Sequence, residues 1–352
     1  MSVFLESDRC IRCGNCYNVC PVLVSAGFDS FPGPKFISGD VPRLTHRLTV
    51  SDDVVLYCTA CIACVPVCPA NITTEEIARE IKKLVVDEGR LPRSLRDALE
   101  STVRHGNPWG VGRAKRSAWS EGLPVKDLSK GEKADTLFFV GCTPSYDTRC
   151  QEVARAFVRL LDRAGVEVGI LGNEETCCGE PIRWIGEEGL FEELMEANVE
   201  AFRRHGVSTI ITTCPHSYNA FRRYYKLPEG ITVKHHTQVL HELIREGKLR
   251  PTKELGKVVA YHDPCFLGRW NRIFYEPREV LKAIPGLELV EMGRCMEDSF
   301  CCGGGAGRVW LDIEARARVS VRRAQEAMDL EPRPDVIAVA CPVCLIQLSD
   351  AP

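Results

Sequence analysis

No excess of positive charge runs through this chain. Its 45 Lys and Arg stand against 48 Asp and Glu, for a formal net charge of −3. That balance argues against a nucleic-acid binder, and no acidic tail is visible. Long apolar stretches are also missing. The longest, VIAVACPVCLIQL, carries two cysteines and falls well short of the ~20 residues a membrane-spanning helix needs. It reads as a buried strand, so any membrane link is expected to come through a partner. The opening MSVFLESDRC lacks the basic start and apolar core of a secretory signal, and a cytoplasmic setting is expected. The glycines of GNPWGVG are too irregular for a nucleotide fingerprint, and nothing else suggests a flavin or nucleotide on this chain.

What the chain has in abundance is cysteine, 19 in 352 residues, a length that suggests two or three domains. Intracellular chains rarely keep structural disulfides, and an odd count suits a disulfide framework poorly. Metal or cluster ligation is the better explanation. CIRCGNCYNVCP holds Cys10, Cys13, Cys16 and Cys20; CTACIACVPVCP holds Cys58, Cys61, Cys64 and Cys68. Both have the spacing C-x2-C-x2-C-x3-C-P that bacterial ferredoxins use for [4Fe–4S] clusters. One loop wraps three corners of a cube, and the fourth cysteine ligates the neighbouring cube. The expected sets are Cys10, Cys13, Cys16 and Cys68 for one cluster, and Cys58, Cys61, Cys64 and Cys20 for the other. Zinc also takes four cysteines, but zinc ribbons usually hold two pairs set well apart. The insert between the motifs, with FPGPKF inside it, is expected to form helix and loop around the clusters. TTEEIAREIKKLVVDEGR then reads as a packing helix, capped by Thr73 or Thr74, with Ile77, Ile81, Leu84 and Val85 as its apolar stripe.

Residues 96–133 are rich in breakers and read as a linker, with Arg113, Lys115 and Arg116 on a solvated face. The remainder repeats itself. In the first copy a strand, DTLFFVGC, ends at Cys142. The helix RCQEVARAFVRLLDRAG, the strand VEVGIL, the triplet Cys177-Cys178-Gly179, the helix GLFEELMEANVEAFRRHG and the strand VSTIITTCPHS follow. The second copy runs KVVAYHDPC to Cys265, then REVLKAI, LELVEM, Cys301-Cys302-Gly303, LDIEARARVSVRRAQEAM and PDVIAVACPVC. Gaps of 34 and 35 residues separate the cysteines of the first copy, and 35 and 38 those of the second. Alternating strand and helix implies a parallel sheet per copy, with the cysteines gathered at strand C-termini. Ser217 stands where the first copy should have its last cysteine, and serine is a poor iron ligand beside thiolate. Cys150 and Cys295 fall outside both patterns and read as ordinary thiols.

Cysteine, a gap in the thirties, Cys-Cys-Gly, a similar gap and Cys-x-x-Cys resembles the cysteine-rich CCG domain of the heterodisulfide reductase family. A ferredoxin module ahead of two such domains is similar to the D-type subunit of those enzymes. It also resembles the iron–sulfur subunits of glycolate oxidase and anaerobic glycerol-3-phosphate dehydrogenase. The resemblance implies an α+β multidomain protein. Residues 1–95 would be a mostly helical two-cluster ferredoxin-like domain, followed by the linker 96–133. Residues 134–250 would be a first α/β CCG domain with a degenerate motif, and 251–352 a second with a complete one, each on a small parallel sheet. It further implies a noncubane [4Fe–4S] cluster on Cys265, Cys301, Cys302, Cys341 and Cys344, where a disulfide is cleaved. Cys142, Cys177, Cys178 and Cys214 would hold an altered cluster, another metal such as zinc, or nothing.

Adjacent thiolates suit a distorted cluster, since a regular cube needs no such pair. Gly303, Gly304, Gly305 and Gly307 would let the backbone approach inorganic sulfur and donate N–H groups to it. His262, just before Cys265, and His216, just after Cys214, could protonate a departing thiolate. The alternative for His262 is a hydrogen bond to cluster sulfur or backbone that fixes the loop. His235, His236 and His241 read as part of an amphipathic helix capped by Thr237. The expected function is an iron–sulfur oxidoreductase subunit passing electrons through two cubanes to the CCG cluster, which reduces or forms a disulfide such as a heterodisulfide. The alternative is a pure electron-transfer subunit linking a flavin dehydrogenase, of 2-hydroxy acid or glycerol-3-phosphate type, to a quinone or other acceptor. A non-redox zinc module is a third reading. Expected partners are a haem-bearing membrane subunit or a flavoprotein, with a disulfide or thiol as substrate and no nucleic acid.

Overall fold

The computed structural model describes residues 3–44, 53–314 and 317–351. Roughly half of the chain is helical, and the strands form two small parallel sheets. The N-terminal part is a helical unit around the two cysteine loops. Its longest helix, Thr74–Asp87, begins after Thr73, whose hydroxyl donates to Glu6 at 2.7 Å instead of capping its own helix. Ile77, Ile81 and Val85 are buried, but Leu84 is 41% exposed. The buried arc is rotated toward the cysteine loop, so Lys82 is covered at one edge while Leu84 is left out at the other. Lys82 donates to the Cys58 carbonyl at 2.9 Å, and burial draws its pKa down to about 8.

Residues 96–133 are more than a tether. The helix Arg93–His105 buries Leu95, Ala98 and Thr102, and Lys126–Asp127 forms strand β1 at the edge of the first sheet. That sheet continues with β2 (Thr136–Phe138), β3 (Gly169–Ile170), β4 (Thr209–Thr212) and β5 (Thr232–His235), in the order β1-β3-β2-β4-β5, all parallel. The second sheet has β6 (Lys257–His262), β7 (Leu287–Val290) and β8 (Val336–Val339), in the order β7-β6-β8. In both copies the first strand therefore lies between the second and the third. The winding reverses at β2 and at β6, which opens a crevice at the C-terminal strand ends. Cys142 and Cys214 follow β2 and β4, and Cys265 and Cys341 follow β6 and β8.

Phe138 and Phe139, consecutive in the extended chain, feed opposite faces of the first sheet. Phe138 packs on Phe157 and Leu161 beneath the helix Thr148–Arg163, while Phe139 meets Phe202 and Phe221. The second expected helix of this copy is Glu188–Arg204. In the second copy the helices are Tyr275–Lys282 and Val319–Met328, the latter starting later than its sequence pattern suggests. Residues 315 and 316 of that pattern lie outside the described residues. The helix His236–Arg245 is capped by His235, not by Thr237: the His235 ring meets Thr237 Oγ1 at 2.8 Å and Gln238 returns the bond. Among the described residues, no helix is long and apolar enough to cross a membrane.

Candidate metal centres

Three thiols of the second motif, Cys58, Cys61 and Cys64, share one cavity of about 390 Å³ with Cys20 of the first. Cys16 in turn has Cys10, Cys13 and Cys68 as its charged neighbours. The fold thus exchanges the fourth cysteines between the loops. The loops also repeat one backbone form: Arg12 and Gly14 in the first, and Ala60 and Ile62 in the second, are left-handed, with φ of 59°, 84°, 52° and 51°. A β-branched residue held there costs on the order of 1–3 kcal/mol, the mark of a loop shaped around something. None of these thiols is in a disulfide, and burial pushes Cys58 and Cys64 up. A soft cation is what deprotonates thiols so placed, so both four-cysteine sets fit an iron–sulfur cluster.

The second copy gathers five thiols into one buried arc. Cys265 touches Cys301, Cys301 touches Cys302, Cys302 lies 3.3 Å from Cys344, and Cys344 touches Cys341. Hydrogen bonds from Cys301 and Cys344 hold Cys302 well below the ordinary thiol range. Burial pushes Cys341 up, but Cys344 and the His216 ring outweigh it and hold this thiol at about 5. His216 comes from the first copy, where its Nδ1 meets the Glu180 carboxylate at 2.7 Å. Sequence reading placed His216 beside its own Cys214 and gave Glu180 no part. Only the fold, which brings Glu180 onto His216 within the first copy and His216 onto Cys341 of the second, reveals these contacts. A chain of mutually stabilised thiols with two adjacent members suits an irregular cluster. His262 lies at the end of β6, fully buried, with a ring nitrogen within 4.8 Å of the Cys302 and Cys344 sulfurs.

Gly303 matches the sequence reading. It is left-handed (φ 91°) and its N–H donates to Cys301 Sγ at 3.3 Å. Gly179 repeats this on Cys177 at 3.4 Å. Gly304 also gives a backbone hydrogen bond to the Cys302 thiol, and the remaining room at this run is set by packing between parts of the chain. A Cβ at Gly304 would lie 2.6 Å from Val343, one at Gly307 2.5 Å from Ile185, and one at Gly305 2.5 Å from the Thr59 carbonyl oxygen. Thr59 belongs to the Cys58–Cys61 loop. Here Cys61 and Cys301 come into thiol contact, while Arg269 donates to the Cys61 carbonyl at 2.7 Å and Trp270 to that of Ala60 at 2.9 Å. The Gly305→Ala variant should lose about 1–3 kcal/mol, because the new methyl meets backbone and neither can give. A fall in the urea midpoint, set against an unchanged Gly112→Ala control at an open position with ordinary backbone angles, checks this.

In the first copy Cys142 touches Cys177, and Cys177 touches Cys178. The solvated face expected for Arg116 is not observed. This side chain is 1% exposed, pairs with Glu175 at 2.7 Å, and donates to Cys142 Sγ at 3.6 and 3.7 Å. Glu175 also accepts from the Val140 and Gly141 N–H groups at 3.1 and 2.9 Å. Burial raises Cys142, but Cys177 and Arg116 outweigh it and hold the thiol at about 7. Cys142, Cys214 and Ser217 face Gly304 and Ala306 of the other copy across a cavity of about 510 Å³, walled by Trp109 and Trp310. Cys150 is buried, with its thiol on the Pro342 carbonyl, and Cys295 sits among charged groups. Neither joins a set.

A family model described as a cysteine-rich domain matches residues 136–222 and 259–349, and one described as a 4Fe-4S dicluster domain matches residues 6–72. A probable iron-sulfur-binding oxidoreductase, FadF of Bacillus subtilis, is 41% identical over 313 residues, 86% of this chain and 44% of the relative. An EtfAB:quinone oxidoreductase of Syntrophomonas wolfei is 34% identical over 395 residues, covering 98% and 55%. A dihydromethanophenazine:CoB–CoM heterodisulfide reductase subunit, that of Methanosarcina barkeri, is 32% identical over 374 residues, covering 98% and 89%. The chain spans about half the length of the first two and most of the third.

Proposed function

The chain belongs to the family of iron–sulfur oxidoreductase subunits that join a 4Fe-4S dicluster domain to two cysteine-rich domains, and on that footing we propose that it delivers electrons to a disulfide substrate. The observation that carries this reading is the contact of Cys61 with Cys301, which joins the second four-cysteine set to the five-cysteine arc. Loaded with iron and sulfide, the four-cysteine sets would supply one-electron carriers, and the five-cysteine arc an irregular centre with room for an external sulfur. The chain's own residues hold these sites together. Gly305 lets the second copy close on Thr59, and Arg269 and Trp270 lock that contact. Trp109 and Trp310 wall a cavity that opens on the first copy's Cys142, Cys177, Cys178 and Cys214 and reaches the arc's loop at Gly304 and Ala306, and an apolar part of a substrate would sit there. Glu180 orients His216 toward Cys341. In sum, R–S–S–R′ takes up two electrons and two protons to give two thiols, or the reverse. A haem-bearing membrane subunit or a flavoprotein would be the electron partner.

The relative described as an EtfAB:quinone oxidoreductase favours a second reading. In it the chain carries electrons between a flavoprotein and a quinone and does no chemistry on sulfur. One experiment separates the two. Anaerobically prepared protein is reduced, then offered a heterodisulfide or, separately, a quinone. Stoichiometric thiol release on reoxidation by the disulfide is the expected result. Reoxidation by quinone alone would select the second reading, and bound zinc without acid-labile sulfide would reject both.

A further inference from the structure

His262 ends the central strand of the second sheet, in register with Val339 of β8, and no part of it reaches solvent. Its Nδ1 is occupied. Arg323 Nε donates to it at 3.1 Å, and Arg323 is itself fixed by Glu326 at 2.8 Å and by the Arg294 carbonyl at 2.9 Å. A guanidinium has hydrogens to give and no lone pair, so the imidazole nitrogen facing it must be the acceptor. The ring hydrogen therefore sits on Nε2. That atom is buried and has no hydrogen-bond partner among the described residues. The sulfurs of Cys302 and Cys344 lie within 4.8 Å of the ring.

We infer that His262 is a neutral Nε2–H donor to a sulfur of the C-terminal centre, and neither an iron ligand nor a carrier of protons. The inference rests on the iron–sulfur reading of the five-cysteine arc. A ring whose Nδ1 lone pair is engaged and whose Nε2 carries hydrogen has no lone pair left for iron. The same engagement leaves no place for a second proton while Arg323 stays where it is. What the ring can do is share one hydrogen with sulfur. Hydrogen bonds to the sulfurs are among the levers that set a cluster's potential, because they offset the charge gained on reduction. Arg323 is a positioning residue: it decides which nitrogen keeps the hydrogen.

The test uses the full chain, anaerobically prepared with iron and sulfide and labelled with ¹⁵N-histidine. Iron and sulfide are counted first. Wild-type protein holding only two clusters' worth overturns the underlying reading, and this inference with it. With the third centre present, pulsed electron–nuclear spectroscopy of its paramagnetic state should show a weak nitrogen coupling and a proton coupling that exchanges in D₂O. The His262→Phe variant should keep the wild-type iron content, lose both couplings, and titrate at a more negative potential. The His262→Gln variant, which retains an N–H donor, should recover part of the shift. A strong nitrogen coupling typical of direct ligation, loss of iron in His262→Phe, or an unchanged potential without the exchangeable proton would each overturn the inference. The measurement on labelled wild-type protein decides the matter even where a variant does not fold.

Discussion

Replacing Cys302 with serine should empty the C-terminal centre and abolish disulfide reduction, while the two N-terminal centres keep their iron and their signals. Cys302 is the middle of the thiol arc, touching Cys301 on one side and lying 3.3 Å from Cys344 on the other. Its neighbours also hold it well below the ordinary thiol range. Serine is isosteric, but its hydroxyl is a hard, weakly acidic donor that replaces a soft thiolate poorly at iron. Losing only an outer partner of a metal site typically weakens metal binding roughly 10–100-fold, and losing a ligand at the centre of the arc should exceed that. Iron and sulfide analysis beside a thiol-release assay reads the result. Cys295→Ser, outside every set, is the matched control. Full iron content in Cys302→Ser would remove this residue from the centre.

The Arg116→Met variant should lower stability by about 3–5 kcal/mol, the range for breaking one side of a buried ion pair. Glu175 would be left charged and sealed from water, with only two backbone N–H groups to hold it. Arg113→Met and Lys115→Met, at exposed positions of the same run, should stay within about 0.5 kcal/mol of the parent. Urea unfolding of the three variants side by side gives the comparison. Arg116→Met combined with Glu175→Leu should recover part of the loss, since removing both charges leaves none stranded. Equal midpoints for all three single variants would mean that the pair contributes nothing.

What was legible in the sequence is what is local. Ligand spacing within a single loop is set by the object the loop wraps, so both ferredoxin-type motifs and the Cys-Cys-Gly triplets stand out. The alternation of strand and helix is equally local, and β2, β4, β6 and β8 end where their cysteines begin. The exchange of Cys20 and Cys68 between the loops was readable because a known spacing carries it. Nothing local marks Arg116. Its carboxylate partner is 59 residues away, and a short basic run usually lies in water. Strand β1 is two residues long, and β5 hides in the polar stretch TVKH. The sulfur contacts of Gly303 and Gly304 are local and could be anticipated, whereas the close approach of Gly305 to Thr59 could not, because Thr59 lies far back in the chain. His216 was noticed beside Cys214, which it does neighbour, but nothing local showed that it also reaches Cys341 of the other copy.

That last feature bears on how a duplicated segment can change. The first copy has Ser217 where its sibling has Cys344, yet lends that sibling His216. Fission of the gene between them would part donor from recipient, and the bare C-terminal fragment would lack both that histidine and the docking loop around Thr59.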